Sequence, residues 1–215
     1  MALSKLAANS FDLTDNYALT GTVTGVVSTQ KLFLIKNIDA SSSGTVDFKD
    51  GTSSVVLDNT YKTYLFRWIT IHPATDGARL QFQGNASGGS GFNETVTNTF
   101  FNVYHRENNE ADPTIVYRTN LDQAQSTDFM NLNQNTDNDA DSHTSGELWL
   151  FNPSSTTFVK HFFSKGVTPS NYSPPYMDND FTAGYFNTTS AIDEIQFKFN
   201  TGNIDSGRIA LYGIK

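Results

Sequence analysis

The alternation of apolar and polar residues near the C-terminus constrains the fold of this chain more than any other feature. In residues 192–215, Ile195 and Phe197 alternate with polar side chains, and Ile209 and Leu211 resume the pattern after a turn-rich stretch. A period of two residues is typical of a strand with one buried face. The pattern predicts a closing β-hairpin whose last strand is held in the core of an all-β fold.

The same period recurs along the chain between Gly-, Asn- and Ser-rich segments. Further strands are predicted at residues 31–35, 45–49, 61–73, 78–84, 97–106, 114–119, 128–132, 146–151, 157–164 and 183–187. No stretch shows the spacing of an amphipathic helix, and many short strands joined by polar loops indicate an antiparallel, jelly-roll-like β-sandwich.

Two of these strands allow each face to be assigned. In residues 78–84, Leu80 and Phe82 are predicted to point inward, and Arg79, Gln81 and Gln83 outward. In residues 61–73, one face is predicted to carry Leu65, Ile69 and Ile71, and the other Tyr64, Phe66 and Trp68. Since both faces of the second strand are apolar, it is expected to be covered on both sides.

Length and composition agree with one domain preceded by a short extended segment. The chain has 215 residues, with 17 Phe, 9 Tyr and no Cys, so its stability must come from packing or from oligomerisation and not from disulfides. Residues 1–27 are small and polar, which predicts an N-terminal tether or attachment segment. Residues 28–215 are predicted to form the sandwich domain.

The charge excludes one class of partner. A formal net charge of −8 argues against nucleic acid, because binding to phosphates depends on clustered Lys and Arg. No apolar run is long enough for a signal peptide or a membrane span, so we expect a soluble protein made in a cytoplasm, with no membrane insertion.

An acidic loop is the one candidate for a metal site. Asp137, Asp139 and Asp141 have the alternate spacing with which a calcium-binding EF-hand loop begins. The twelfth position of that motif falls on Leu148, where a Glu is required, and no Gly follows Asp141. A solvated acidic loop is therefore favoured over an ion site, and no metal or cofactor is predicted.

Catalytic motifs are not evident. His72, His105, His143 and His161 match no zinc spacing, and no nucleophile elbow of the G-x-S-x-G type occurs. A carboxylate pair such as Glu94 with Glu107, or Asp193 with Glu194, could cleave glycans only at a suitable separation, which sequence does not measure. We expect no enzymatic activity, and a glycan depolymerase is the weaker alternative.

An aromatic stretch, residues 170–185, is predicted to be a loop that contacts a glycan or a partner. The residues concerned are Tyr172, Tyr176, Asp178, Asp180, Phe181 and Tyr185. Aromatic faces flanked by carboxylates suit sugars, because C–H edges stack on the rings while hydroxyls bond to the polar rim. A loop that packs on itself at the sandwich edge, or that contacts another subunit, explains the same residues.

Several phrases together resemble virion proteins of marine tailed bacteriophages. The most specific are LWLFNPSSTTFVKHF and SAIDEIQFKFNTGNIDSGRIALYGIK, and KLAANSFDLTDNYALTGTVTG extends the resemblance to the start of the chain. The resemblance implies a particle-surface β-sandwich in a tail fibre used for host attachment, or in a capsid decoration. It further implies localisation to the virion after assembly in the host cytoplasm, a homo-oligomer that we expect to be a trimer, contacts with other virion proteins, and a host-surface glycan as a further partner.

Overall fold

The structure, a computed structural model, describes residues 31–108, 110 and 115–215. Within this part of the chain every regular element is a β-strand, which confirms the all-β prediction, and no helix is long and apolar enough to cross a membrane. The predicted tether, residues 1–27, lies outside the described residues. The strands are β1 (Leu32–Ser43), β2 (Val46–Lys49), β3 (Thr63–Pro73), β4 (Leu80–Ala86), β5 (Val96–Arg106), β6 (Ile115–Tyr117), β7 (Gln123–Ser126), β8 (Met130–Asn131), β9 (Thr144–Phe151), β10 (Lys160–Pro169), β11 (Tyr176–Phe186), β12 (Ile192–Phe199) and β13 (Ile204–Ile214).

These strands form two antiparallel sheets that pack against each other as the predicted β-sandwich. The larger sheet has nine described strands in the order β1-β13-β3-β9-β10-β11-β5-β6, and β7 also pairs with β5. The smaller sheet has the order β2-β12-β4-β8. Residues 118–136, which we call the strap, connect the sheets, because they contain β7 of the larger sheet and β8 of the smaller one.

The core between the sheets is built on aromatic rings. Phe197 of β12 lies 5.4 Å from Phe66 of β3, and 6.2 Å from both Phe48 and Phe82, measured between ring centroids. All four side chains are fully buried. Each such burial contributes about 1.5–3 kcal/mol, so this cluster supplies much of the attraction between the sheets.

The two C-terminal strands do not form the predicted hairpin. β12 pairs with β2 and β4 in the smaller sheet, whereas β13 pairs with β1 and β3 in the larger one. The connection at residues 200–203 therefore crosses from one sheet to the other. Ile195, Phe197, Ile209 and Leu211 are buried as predicted, but they enter the core from opposite sides. Alternation shows only that each strand has a buried face. A hairpin within one sheet and a connection between two sheets both satisfy that condition.

A bulge in β3 changes the predicted faces of that strand. The pairing of β3 with β9 is irregular between Trp68 and Ile71, where Thr70 has a φ of 50°. One extra residue brings Ile71 into the core beside Trp68 and leaves Ile69 45% exposed. The prediction that Ile69 and Ile71 share a face is therefore wrong.

Residues 78–84 confirm one half of their predicted pattern. Leu80 and Phe82 are fully buried, as expected, but Gln83 is fully buried as well. The Gln83 amide donates to the main-chain oxygens of Glu94 at 3.1 Å and Asp128 at 3.0 Å. Gln83 was predicted to face solvent. It is buried instead, because the strap covers this side of β4.

Candidate binding surface

The stretch predicted as an aromatic loop, residues 170–185, is for the most part a strand. Tyr176–Phe186 form β11, which lies between β10 and β5 in the larger sheet. Its alternation is reversed from the usual one: the carboxylates of Asp178 and Asp180 are buried, while the apolar side chain of Met177 is exposed. The loop prediction is wrong because polar residues on the buried face hide the alternation that marks a strand.

The six predicted contact residues are distributed over three places. Tyr172 and Tyr176 stack on each other where β11 begins, Phe181 and Tyr185 point outward from β11, and Asp178 and Asp180 point inward. In the first place, Tyr172 is half exposed and its ring lies 5.4 Å from that of buried Tyr176. Tyr176 in turn lies 4.8 Å from Tyr104. The glycan contact stays a prediction, and Tyr172 is the member of this stack that solvent reaches.

Asp178 and Asp180 form a buried pair of carboxylates beneath the strap. Asn102 Nδ2 donates to Asp178 Oδ1 at 2.5 Å and to Gln134 Oε1 at 2.9 Å, and Arg118 Nε donates to Asn102 Oδ1 at 2.9 Å. Neither Asp180 oxygen has a hydrogen bond of good geometry to a described residue. Burial raises the pKa of Asp178 to about 6. Burial, and then the Asp178 charge, raise the pKa of Asp180 well above its usual value, which Gln134 and Arg118 only partly oppose.

The predicted acidic loop lines an open pocket of about 430 Å³ at one end of the sandwich. Asp137, Asp139 and Asp141 all belong to its wall, and the Asp139 main-chain N–H donates to Asp137 Oδ1 at 2.9 Å. The wall also includes Glu107, His143, Val167, Ser170 and Met177. Among the residues described, no three His, Asp or Glu side chains are arranged to hold a metal ion. The fold thus joins the acidic loop to the beginning of β11, which lies far from it in sequence.

A broad apolar surface, which the sequence analysis did not identify, covers the solvent side of the larger sheet. We call it the outer face: the outward side chains of β9, β10, β11, β5 and β6. Its exposed large apolar residues are Phe101, Ile115, Tyr117, Phe163, Val167 and Met177. Trp149 stacks on Phe163 with ring centroids 5.8 Å apart, and Phe101 stacks on Phe181 at 4.9 Å. Contiguous exposed apolar surface of this kind marks interaction sites.

The outer face carries little charge for so acidic a chain. Among the outward side chains of these described strands the one carboxylate is Glu147 of β9, which lies opposite Lys165 of β10. Lys165 Nζ is 3.2 Å from Glu147 Oε1, and Arg67 Nε is 3.8 Å from Glu147 Oε2. Glu147 is thus paired with two cations, so docking of an apolar partner buries no unpaired carboxylate there.

Sequence carries one signal that could have revealed this surface. Residues 148–151 read LWLF, an unbroken apolar run within a strand. Leu148 and Leu150 fill the core, so Trp149 and Phe151 must lie on the opposite side. An apolar run in a sheet with one solvated side indicates a second covered surface. Comparison of the chain with protein-family models, curated proteins and solved structures found no match.

Proposed function

We propose that this chain is a non-enzymatic structural module of a tailed-bacteriophage particle, and that it associates with further copies of itself through the outer face. The observation that carries the proposal is the two stacked aromatic pairs on that face, each with one exposed ring, Phe101 in one and Phe163 in the other. This face suits apolar packing and not bond cleavage, because the ionised side chains at its centre already pair with one another.

The ring geometry favours a protein partner over a sugar on this face. Phe101 and Phe181 are nearly parallel, with an interplanar angle of 9°, and Trp149 and Phe163 make an angle of 14°. Each ring therefore covers one face of its neighbour, whereas a sugar needs an open aromatic face on which its C–H groups stack. Packed aromatic and Met side chains are enriched at the centres of protein interfaces.

Charge favours a second copy as the occupant. Two molecules of net charge −8 repel each other, and the repulsion is weakest where carboxylates are few. The outer face is such a region, with Glu147 already paired to Lys165. The segment LWLFNPSSTTFVKHF, which resembles phage virion proteins most specifically, also contributes Trp149 and Phe151 to this face. The homo-oligomer implied by that resemblance and the observed surface thus point to the same association.

The test is a double substitution, Phe101→Lys with Phe163→Lys, on the outer face. These side chains are 37% and 40% exposed, so the fold tolerates lysine while an apolar interface does not. We expect light scattering to show an oligomer for the unaltered chain and a monomer for the double variant, with circular dichroism unchanged. Phe158→Lys is the matched control, because Phe158 is 68% exposed outside this face. A double variant that keeps the oligomeric mass contradicts the proposal.

Glycan contact at Tyr172 is a second candidate function, and it is compatible with the first. Tyr172 is 50% exposed and stacks on buried Tyr176, so it offers an aromatic ring supported from beneath. We expect Tyr172→Ala to abolish binding to host-envelope polysaccharide, measured by glycan array or affinity electrophoresis. Phe158→Ala, which removes an exposed ring outside both surfaces, should leave binding unchanged. Equal binding by both variants would remove this candidate.

A further inference from the structure

We infer that Asp178 and Asp180 act as a proton-controlled latch, which holds the strap against the larger sheet while the pair retains a proton and releases the strap when both carboxylates ionise. The pair lies on the buried side of β11, where Gln134 of the strap lies against it.

The strap is attached to the larger sheet through polar contacts that surround this pair. Thr182, two residues beyond Asp180 on β11, donates its hydroxyl to the main-chain oxygen of Asn131 at 2.9 Å. Asn102 of β5 links Asp178 to Gln134, as described above. The strap is therefore held near the carboxylates by hydrogen bonds, and not by apolar packing alone. A change of charge in the pair acts directly on these bonds.

The charges that face the pair balance one carboxylate and not two. Arg118, at the start of the strap, is the positive group that acts on both carboxylates, while Asn102 from β5 and Gln134 from the strap are neutral. On the remaining side, β10 places Gly166 opposite Asp180 and the neutral Thr168 opposite Asp178, so that strand contributes no charge there. One shared proton leaves the cluster neutral, whereas full ionisation leaves a net negative charge in the interior.

The direction of the pH effect follows from this balance. The folded chain holds the pair's proton to higher pH than the unfolded chain does, because an Asp in an unfolded chain has a pKa of about 4. The free energy of unfolding therefore declines as the pH rises from about 4 through the raised folded-state pKa values of Asp178 and Asp180. The strap is the segment that covers the ionising groups, so it opens before β12 and β13 do.

Hydrogen exchange of the full chain, followed by mass spectrometry between about pH 5 and 8, tests the latch. The measured quantity is, for each strap amide, the ratio of its intrinsic to its observed exchange rate, because this ratio removes the intrinsic pH dependence of exchange. We expect the ratio to fall about tenfold over this range, since one pKa unit of linkage corresponds to one tenfold step. The double variant Asp178→Asn with Asp180→Asn should keep the ratio constant, and exposed Asp47→Asn should behave like the unaltered chain.

Two results would overturn the latch. One is a ratio that does not change with pH in the unaltered chain, a measurement that depends on no variant. The other is a pH-dependent ratio that persists in the double variant Asp178→Asn with Asp180→Asn, because the proton would then reside on another group.

Discussion

Phe197→Ala is expected to lower the free energy of unfolding by about 3–5 kcal/mol. Phe197 is fully buried and its ring is surrounded by Phe48, Phe66 and Phe82, which come from both sheets. Truncation removes the transfer free energy of the ring and leaves a cavity at the point where the sheets meet. These neighbours are held by their own strands and close the cavity only in part. Urea denaturation monitored by circular dichroism measures the loss.

Phe158→Ala is the matched control for this substitution. Phe158 is the same residue type, but it is 68% exposed in the connection between β9 and β10. Its replacement should change the free energy of unfolding by less than about 0.5 kcal/mol. Equal losses for the two variants would show that the aromatic cluster between the sheets does not hold the sandwich together.

Gly146→Ala is expected to cost about 3 kcal/mol, because β9 passes close to both a neighbouring strand and a buried indole at this residue. A methyl group at Gly146 would overlap the ring of Trp68 and lie 2.5 Å from the main-chain oxygen of Lys165. The indole is fully buried and the carbonyl belongs to the sheet, so neither can move aside freely. Thermal unfolding should show a lower Tm.

Gly44→Ala separates this steric effect from the general effect of replacing glycine. A methyl group at Gly44 would meet only Asn203 Oδ1, at 3.9 Å, and no left-handed backbone conformation is required there. We expect its Tm to equal or slightly exceed that of the unaltered chain. If Gly146→Ala proved as harmless as Gly44→Ala, the packing of Trp68 against β9 described above would be wrong.

The sequence predicted the strands and most of the buried side chains, but not which strands pair. Ile195, Phe197, Ile209 and Leu211 are buried because alternation reports the local contrast between core and solvent. That β12 and β13 belong to different sheets depends on their partners, which lie far away in the chain. The bulge at Thr70 was missed for a related reason, since a single added residue leaves no mark in a strand with two apolar faces.

The candidate surfaces were predictable only in part. Tyr172 is half exposed and its glycan contact stays a prediction, whereas Asp178 and Asp180 were expected at a polar rim and are buried. Their burial is due to the strap, which covers β11 although it lies far from it in sequence. The outer face escaped detection because it is assembled from five strands, and no strand contributes more than two exposed large apolar residues, such as Phe163 and Val167 from β10.

Sedimentation equilibrium of the unaltered chain, at low and at high salt, tests the central claim that the outer face joins copies of this protein. We predict a mass that is a multiple of 23.7 kDa, and three times that mass for the expected trimer. We also predict that association is maintained or strengthened at high salt, because screening reduces the repulsion between acidic copies and leaves apolar packing intact. A monomer at all protein concentrations and both salt concentrations would contradict this claim.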